Sequence, residues 1–169
     1  MRILGVDPGL RQTGYGLVEV SARGPGLVEA GIIRTSGRSS VPFRLRELHS
    51  GLAEIISERR PELIVIEDLF AHPGFPRTAI VMGQVCGVIQ LAAAQAGIPI
   101  DAIPPASVKR AVVASGRGGK RQVQRMVRML LALAEDPGTH VADALALALT
   151  AVSRRGLPLR RAARLRGSA

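Results

Sequence analysis

RILGVDPGLRQTGYGLVEV, the stretch at residues 2–20, decides the fold class because it contains two strand-like segments joined by a Pro-Gly turn. The first segment is residues 2–7 and the second is residues 12–20. A third segment of this kind, residues 27–34, follows another break rich in glycine and proline. Three consecutive strands separated by such short breaks predict an antiparallel meander.

Beyond the meander, the apolar pattern alternates between helical and extended periods. Residues 42–59 have helical period, with Pro42 in the first turn, and residues 62–67 form a near-continuous apolar run typical of a central strand. The same patterns predict a short strand at 98–102 and helices at 77–96, 105–113, 120–134 and 139–153. This order predicts an α/β fold in which helices cover the faces of a mixed sheet.

Length and composition indicate one intracellular globular domain. The chain has 169 residues, of which 47% are apolar, and this fraction excludes general disorder. A single cysteine, Cys86, excludes a disulfide scaffold and a cysteine-based zinc cluster, and fits a reducing cytosol. We expect no secretory signal, because a strand begins at residue 2. Residues 78–100 carry no charge, but their three glutamines and Pro99 suit lipid poorly, so they predict a buried helix and no membrane span.

The net charge of +10 is unevenly distributed along the chain. Residues 1–101 carry ten basic and ten acidic groups, whereas residues 102–134 carry seven basic groups and no acid. Six further arginines lie in residues 154–169, which we expect to form a basic, flexible tail after a domain at 1–153. A solvated end with at most weak contact to nucleic acid is the simplest interpretation of that tail.

The helix at 120–134 has the pattern of a surface that binds a polyanion. Arg121, Arg125 and Arg128 share one face. The apolar stripe on another face consists of Val123, Met126, Val127, Leu130, Leu131 and Ala134. Because a merely soluble face usually mixes both signs of charge, we expect this basic ridge to contact a phosphate backbone.

Four polar residues occur where the surrounding sequence is apolar. Asp7 and Glu67 each end a predicted strand, and Asp143 lies on the helix at 139–153, three residues after His140. Burying an isolated carboxylate is costly unless it is paired or binds a cation. Ligands collect at the carboxyl ends of strands in open α/β sheets. Together these positions predict a site for Mg²⁺, or for a pair of metal ions, that hydrolyses phosphodiesters.

Each of these residues also has a purely structural interpretation. Asp7 suits a turn before Pro8-Gly9, and Glu67 suits a solvated strand end. Asp143 is favoured near the amino end of a helix, and a lone His140 is more often part of a core or a helix terminus. Only the coincidence of all four favours a catalytic cluster.

Five short motifs, in order over residues 1–153, resemble those of RuvC-type Holliday-junction resolvases. They are ILGVDPG (3–9) with TGYG (13–16), IEDLF (66–70) with Gly83-Gln84 and Gly87, Pro104-Pro105 with Val108-Lys109, Gly119-Lys120 with QVQ (122–124), and ADALA (142–146). The resemblance implies a ribonuclease-H-like fold with a five-stranded mixed sheet, and a homodimer that cuts four-way DNA junctions symmetrically. It also implies Mg²⁺ or Mn²⁺ as cofactor, a RuvAB-type branch-migration complex as partner, and a nucleoid-associated location.

The same resemblance implies roles for individual residues. Asp7, Glu67 and Asp143 are expected to bind metal, and Lys109 and Lys120 to contact phosphate near the site. Phe70 is expected to stack on an opened base. Independently of the resemblance, we expect Arg77 and the ridge residues Arg121 and Arg125 to be further DNA contacts. His140 stands where many family members have a fourth aspartate, so we expect it to be a metal ligand, favouring Mn²⁺, or a proton shuttle. The role of Phe75, in the same loop as Phe70, stays open.

Three other interpretations are weaker. Asp-Pro-Gly after a first strand also resembles the phosphate loop of actin-like kinases, but that class needs two such domains. Gly119-Lys120 is not a Walker A loop, because Arg121 replaces the Ser or Thr. A non-catalytic nucleic-acid-binding module does not explain why Asp7, Glu67 and Asp143 are all present.

Overall fold

The computed structural model describes residues 1–68, 76–113, 119–157 and 159. In chain order the strands are β1 (Arg2–Asp7), β2 (Gln12–Ser21), β3 (Gly24–Arg34), β4 (Leu63–Glu67) and β5 (Ile100–Ile103). The helices are α1 (Val41–Arg59), α2 (Pro76–Gln95), α3 (Pro105–Val113), α4 (Lys120–Leu131) and α5 (Thr139–Arg154). The predicted order of elements is therefore confirmed.

The five strands form one mixed sheet in the order β3-β2-β1-β4-β5. The meander pairs antiparallel, whereas β4 lies parallel to β1 and β5 lies parallel to β4. This arrangement confirms the five-stranded mixed sheet. It also explains the apolar run of β4. This strand lies between two parallel neighbours, and helices cover both of its faces.

Helices cover both faces of the sheet, and alternate residues of β1 face the two layers. Leu4 and Val6 pack against α1 and α2, in a cluster with Leu48, Leu52, Val85 and Ile89. Ile3 faces the other layer, where α5 packs directly on the sheet and α3 and α4 pack around it. Asp7 therefore ends β1 on the α5 side, which places it outside the α1–α2 core.

Three predicted boundaries were wrong by two or three residues. Helix α4 ends at Leu131 rather than 134, because Ala132 adopts a left-handed conformation (φ 52°) and its N–H bonds the Arg128 carbonyl. Ala134 is consequently exposed and does not belong to the apolar stripe. Strand β5 begins at Ile100, because Ile98 still bonds back to the last turn of α2. Strand β3 begins three residues early, at Gly24, where it pairs with Ser21 in a tight hairpin.

Helix α2 is only partly buried. The prediction of a buried helix was therefore confirmed for one face of the helix and wrong for the opposite face. Its segment Arg77–Gln95 is long and apolar enough to cross a membrane by length and composition, with a mean hydropathy of 1.4, and 28% of that window is buried. The buried face, which includes Val85, Ile89 and Ala93, packs on the sheet. The opposite face exposes Ile80 and Leu91 to solvent, at 63% and 51%.

Hydrogen bonds from Tyr15 and Arg59 to Glu29 connect the middle of the meander to the end of α1. The Tyr15 hydroxyl donates a 2.8 Å hydrogen bond to Glu29 Oε1 on β3, and the other Glu29 oxygen accepts a hydrogen bond from Arg59 Nε on α1. Burial, the hydrogen bond to Glu29 and the negative charge of Glu29 raise the pKa of Tyr15 to about 12. All three disfavour the phenolate.

This pKa predicts how stability changes in alkali. Because the folded-state pKa lies above the usual value near 10, the stabilisation from neutral Tyr15 is present below about pH 10 and is lost as the pH rises through about 12. The chain has one tyrosine and no tryptophan, so an ultraviolet absorbance titration reports on Tyr15 alone. We expect no phenolate signal at pH 10 in the folded protein, with Tyr15→Phe as the blank. A midpoint near 10 without unfolding would contradict the hydrogen-bonded arrangement.

Candidate active site

Asp7 and Glu67 lie next to each other at one edge of the sheet. Their strands are parallel neighbours with Val6 opposite Ile66, so both strands end at the same level. The side chain of Asp7 is 17% exposed, and Glu67 is half-buried. The following residue, Asp68, is exposed.

Helix α5 lies so close to the sheet that only glycine fits beneath it. A Cβ at Gly5 would lie 1.9 Å from the Ala144 carbonyl oxygen and 2.9 Å from the Ala148 nitrogen. A Cβ at Gly14, the register partner of Asp7, would lie 2.2 Å from the His140 carbonyl oxygen. Because Gly5 on β1 and Gly14 on β2 have no side chain, the first turn of α5 packs directly over Asp7.

The first turns of α5 carry His140 and Asp143 to the carboxylates of the sheet. His140 Nδ1 lies 2.8 Å from Asp7 Oδ2, and the His140 side chain is 45% exposed. Asp143 lies one turn further along and is half-buried. The structure therefore brings together all four residues singled out in the sequence, although they come from three separate segments.

A cavity of about 450 Å³ opens beside these residues. Asp7, Glu67 and Asp143 line it, and Lys120 at the start of α4 faces them. The sequence did not single out the cavity wall, which consists of Pro105, Val108, Gly119, Val123 and Leu147. Four of these wall residues lie in the motifs around Lys109 and Lys120, and only Leu147 lies outside them.

The surroundings of Asp7 shift its pKa. Burial raises the pKa of Asp7 above its ordinary value, and this effect is opposed by the His140 hydrogen bond and by the positive charges of His140 and Lys120. Without a bound cation, burial therefore makes the ionised form of Asp7 less favourable than that of an aspartate in water. A bound cation would remove that cost, because it favours the charged carboxylate.

The donor set suits a hard divalent cation in its chemistry. Three carboxylates around one cavity are oxygen ligands of the kind that Mg²⁺ and Mn²⁺ take. Within the described residues, no three histidine, cysteine or carboxylate side chains are already arranged as a ligand set. The His140 bond engages only Oδ2 of Asp7, so the carboxylate has a second oxygen to offer.

The predicted DNA contacts divide into three groups. Arg121 and Arg125 are exposed on α4, and Arg77 is exposed in the first turn of α2. Arg128 forms a 3.0 Å ion pair with Asp136, so the basic ridge is reduced to its first two arginines. Phe70, Phe75, the side chain of Lys109 and the tail from residue 160 onward lie outside the described residues.

Comparison with known proteins assigns the family. The family profile for crossover junction endodeoxyribonuclease RuvC matches residues 3–151. The curated RuvC of Pelotomaculum thermopropionicum is 48% identical over 150 residues, covering 88% of this chain and 91% of the relative. That of Rhodopirellula baltica is 45% identical over 150 residues, covering 87% and 83%.

Solved structures agree with this assignment. The structure of Thermus thermophilus RuvC in complex with a Holliday junction substrate superposes with a TM-score of 0.82 at 32% sequence identity, covering 92% of this chain and 97% of that one. Similarity at this level over nearly the whole of both chains leaves no place for an actin-like domain. This chain therefore belongs to the RuvC family of crossover junction endodeoxyribonucleases.

Proposed function

We propose that this protein is a structure-selective endonuclease that resolves four-way DNA junctions in recombination and repair by cutting two strands symmetrically. The observation that supports this most is the juxtaposition of Asp7, Glu67, Asp143 and Lys120 around one cavity, on a chain of this family. The test is selectivity. At one enzyme concentration, a synthetic four-way junction should be nicked in the presence of Mg²⁺, while a linear duplex of the same sequence should stay intact.

Within this proposal, Asp7, Glu67 and Asp143 hold one or two Mg²⁺ ions, with Mn²⁺ as a substitute. When bound, such ions activate water and stabilise the leaving oxygen of a phosphodiester. The chain's own residues prepare the site. Lys120 places a positive charge at the cavity mouth, where it attracts a phosphate as a point charge. Val108, Val123 and Leu147 form an apolar wall that limits access of bulk water to the reacting phosphate.

His140 is proposed to orient Asp7 or to move a proton beside it. Its Nδ1 is within hydrogen-bond distance of Asp7, while about half of the side chain remains open to solvent. Histidine is a common proton shuttle, because an imidazole can both accept and donate a proton. It is also close enough to serve as a ligand to a cation held by Asp7, which favours Mn²⁺ over Mg²⁺.

DNA binding is proposed to combine several surfaces. Lys109, Lys120, Arg121 and Arg125 contact phosphates around the cleavage site, and Arg77 contacts DNA from the start of α2. Phe70, three residues after Glu67 in the sequence, stacks on an opened base, an interaction worth about 1–3 kcal/mol per base. We place these functions in the domain at 1–153. Arg154, Leu157 and Leu159, predicted as the start of the basic tail, also belong to this domain, because α5 runs through Arg154 and the two leucines pack against the core. By family resemblance, a RuvAB-type branch-migration complex is the partner, in the cytoplasm at the nucleoid.

Arg125→Ala should weaken junction binding and flatten its salt dependence. Arg125 is exposed on α4, and removing one phosphate contact reduces the slope of log K against log salt by about 0.9. Filter binding at four salt concentrations measures this slope. Arg23→Ala, at the distant β2–β3 turn, is the matched control, since it removes the same charge from a surface outside the proposed contacts. An unchanged slope for Arg125→Ala would remove α4 from the binding surface.

Symmetric cutting requires two active sites, and we propose a homodimer formed through the exposed face of α2. Ile80 and Leu91 are exposed there, and a Cβ at Gly83 or Gly87 would meet nothing within 4 Å, so this apolar face has no partner within the described residues. A two-fold symmetric pairing of the helix would bury it.

Analytical ultracentrifugation tests the dimer. The wild-type protein is expected to sediment as a dimer, and Leu91→Glu as a monomer, because the substitution places a charge on the apolar face. Leu27→Glu, at another exposed leucine on β3, is the control and should remain dimeric. A wild-type monomer at micromolar concentration would leave paired incision unexplained.

A further inference from the structure

Five arginines, here called the arginine cluster, converge at the edge of the sheet where β1 ends. Arg11 follows the loop after Asp7, and Arg34 ends β3 with Gln12 as its register partner. Arg38 lies in the connection to α1, and Arg44 and Arg46 lie in its first turns. Arg11, Arg34, Arg38 and Arg46 are exposed, and Arg44 is half-buried. The neutral total charge of residues 1–101 concealed this grouping.

A buried threonine fixes the arginine cluster to the loop that follows Asp7. The Thr35 hydroxyl donates to the Leu10 carbonyl at 2.5 Å and accepts from Arg44 Nε at 3.0 Å. The Thr35 N–H donates to the Arg11 carbonyl at 3.3 Å. These hydrogen bonds join the loop, the end of β3 and the first turn of α1, and so hold together the segments that carry the arginines.

Arg46 is positioned by an aromatic ring that does not belong to the core. Its guanidinium carbon lies 5.1 Å from the ring centroid of Phe43, and Phe43 is 54% exposed. A cation over a ring face at this distance is attracted by the ring, and the planar guanidinium keeps its N–H donors pointing outward. This pair extends the basic surface along α1.

Nearby acids do not neutralise the arginine cluster. Glu19 pairs with Arg2 and Glu29 with Arg59, both away from this edge, and Glu62 lies beside the amino terminus. Glu47, the acid that follows Arg46, accepts the N–H of Ser36 at 2.7 Å. Among the ion pairs that the described residues form, none includes an arginine of the cluster. With five arginines against Glu47, positive charge therefore predominates here.

The arginine cluster and α4 lie on opposite sides of the catalytic residues. Helix α1 packs on the face of the sheet that contains Leu4 and Val6, whereas α4 packs beside α5 on the other face. Asp7 stands at the sheet edge between them, and the loop that leaves it leads directly to Arg11. DNA that binds at Lys120 and extends across this end of the sheet toward α1 would therefore reach the arginine cluster.

We propose that the arginine cluster binds the phosphate backbone of a duplex arm of the junction, beyond the cleavage site. The proposal rests on the proposed function and names a second contact surface for its substrate. Arginine suits this role, because its planar fork binds phosphate oxygens in pairs. The cluster has no geometry for distinguishing bases, so it contributes affinity and orientation and no sequence preference.

The test compares the double variant Arg38→Ala/Arg46→Ala with wild type and with Arg23→Ala on two junctions. One junction has long arms, and the other has arms that end just beyond the exchange point. On long arms, the double variant should lower affinity at least several-fold at low salt. It should also reduce the slope of log K against log salt by about 0.9 for each phosphate that an arginine no longer neutralises. On short arms its binding should match wild type. Arg23→Ala should match wild type on both.

Two outcomes would overturn the proposal. One is a wild-type salt slope for the double variant on long arms, which would assign this surface to something other than DNA. The other is an equal loss of affinity on short and long arms, which would place the cluster at the exchange point. Wild-type cleavage of the long-armed junction, measured in parallel, separates this from failure of the proposed function, since an absence of cutting by wild type would overturn both.

Discussion

Replacing Asp7 with asparagine is expected to slow junction cleavage by at least about 10²–10³-fold, the scale of loss when a charged or polar group is removed from an active site. The substitution keeps the size of the side chain and removes the charge that a cation needs. Junction binding should persist, because the basic surfaces are unaffected. Single-turnover cleavage with saturating protein measures the first effect, and filter binding measures the second.

Asp68→Asn is the matched control for this experiment. It makes the same chemical change one residue beyond Glu67, at a side chain that is exposed. Its cleavage rate should stay near that of wild type. If Asp7→Asn lost binding to the same degree as cleavage, the division between a catalytic cluster and a separate binding surface would be wrong.

Gly5→Ala is expected to have the largest effect on stability. The added Cβ would lie 1.9 Å from the Ala144 carbonyl oxygen, and the conflict is with helix backbone that cannot rotate away. Overpacking of this kind costs about 3 kcal/mol or more. For a chain of this size, such a loss lowers Tm by about 6–12 °C. Cleavage should fall as well, since displacement of α5 carries His140 and Asp143 away from Asp7.

Gly26→Ala is the control for the loss of a glycine from the sheet. Gly26 lies on β3, where a Cβ would meet nothing within 4 Å, so the variant should unfold close to the wild-type temperature. Differential scanning calorimetry compares the two. A Gly5→Ala protein with the wild-type Tm would show that α5 does not depend on this close approach to β1.

The sequence predicted those parts of the site that depend on strand ends. An acid at the end of an apolar strand is a local pattern, so Asp7 and Glu67 were recognised, and parallel pairing of β1 with β4 places them together. His140 and Asp143 were recognised as polar residues on a helix suited to the core. That helix lies over Asp7 because the glycines beneath it leave room for its backbone. This effect could not be predicted, because it depends on which segments pack together in the fold.

Other features depend on which residues meet across the fold. The total charge of residues 1–101 was correct and uninformative, because the acids and the arginines of that segment lie at different places on the surface. The apolar pattern of α2 showed a helix but not which neighbours it has, so its open face was missed. The early end of α4 arises from the left-handed conformation of Ala132, a residue type that gives no signal for a helix end.

Mapping the cleavage sites on a mobile four-way junction tests the central claim most directly. Each strand is labelled in turn, and the products are resolved with Mg²⁺ and then with Mn²⁺. The proposed function predicts paired nicks at symmetric positions in two strands of like polarity, with ends that a ligase can seal, and no cutting when both metals are absent. A single unpaired nick, or equal cutting of a linear duplex, would contradict it.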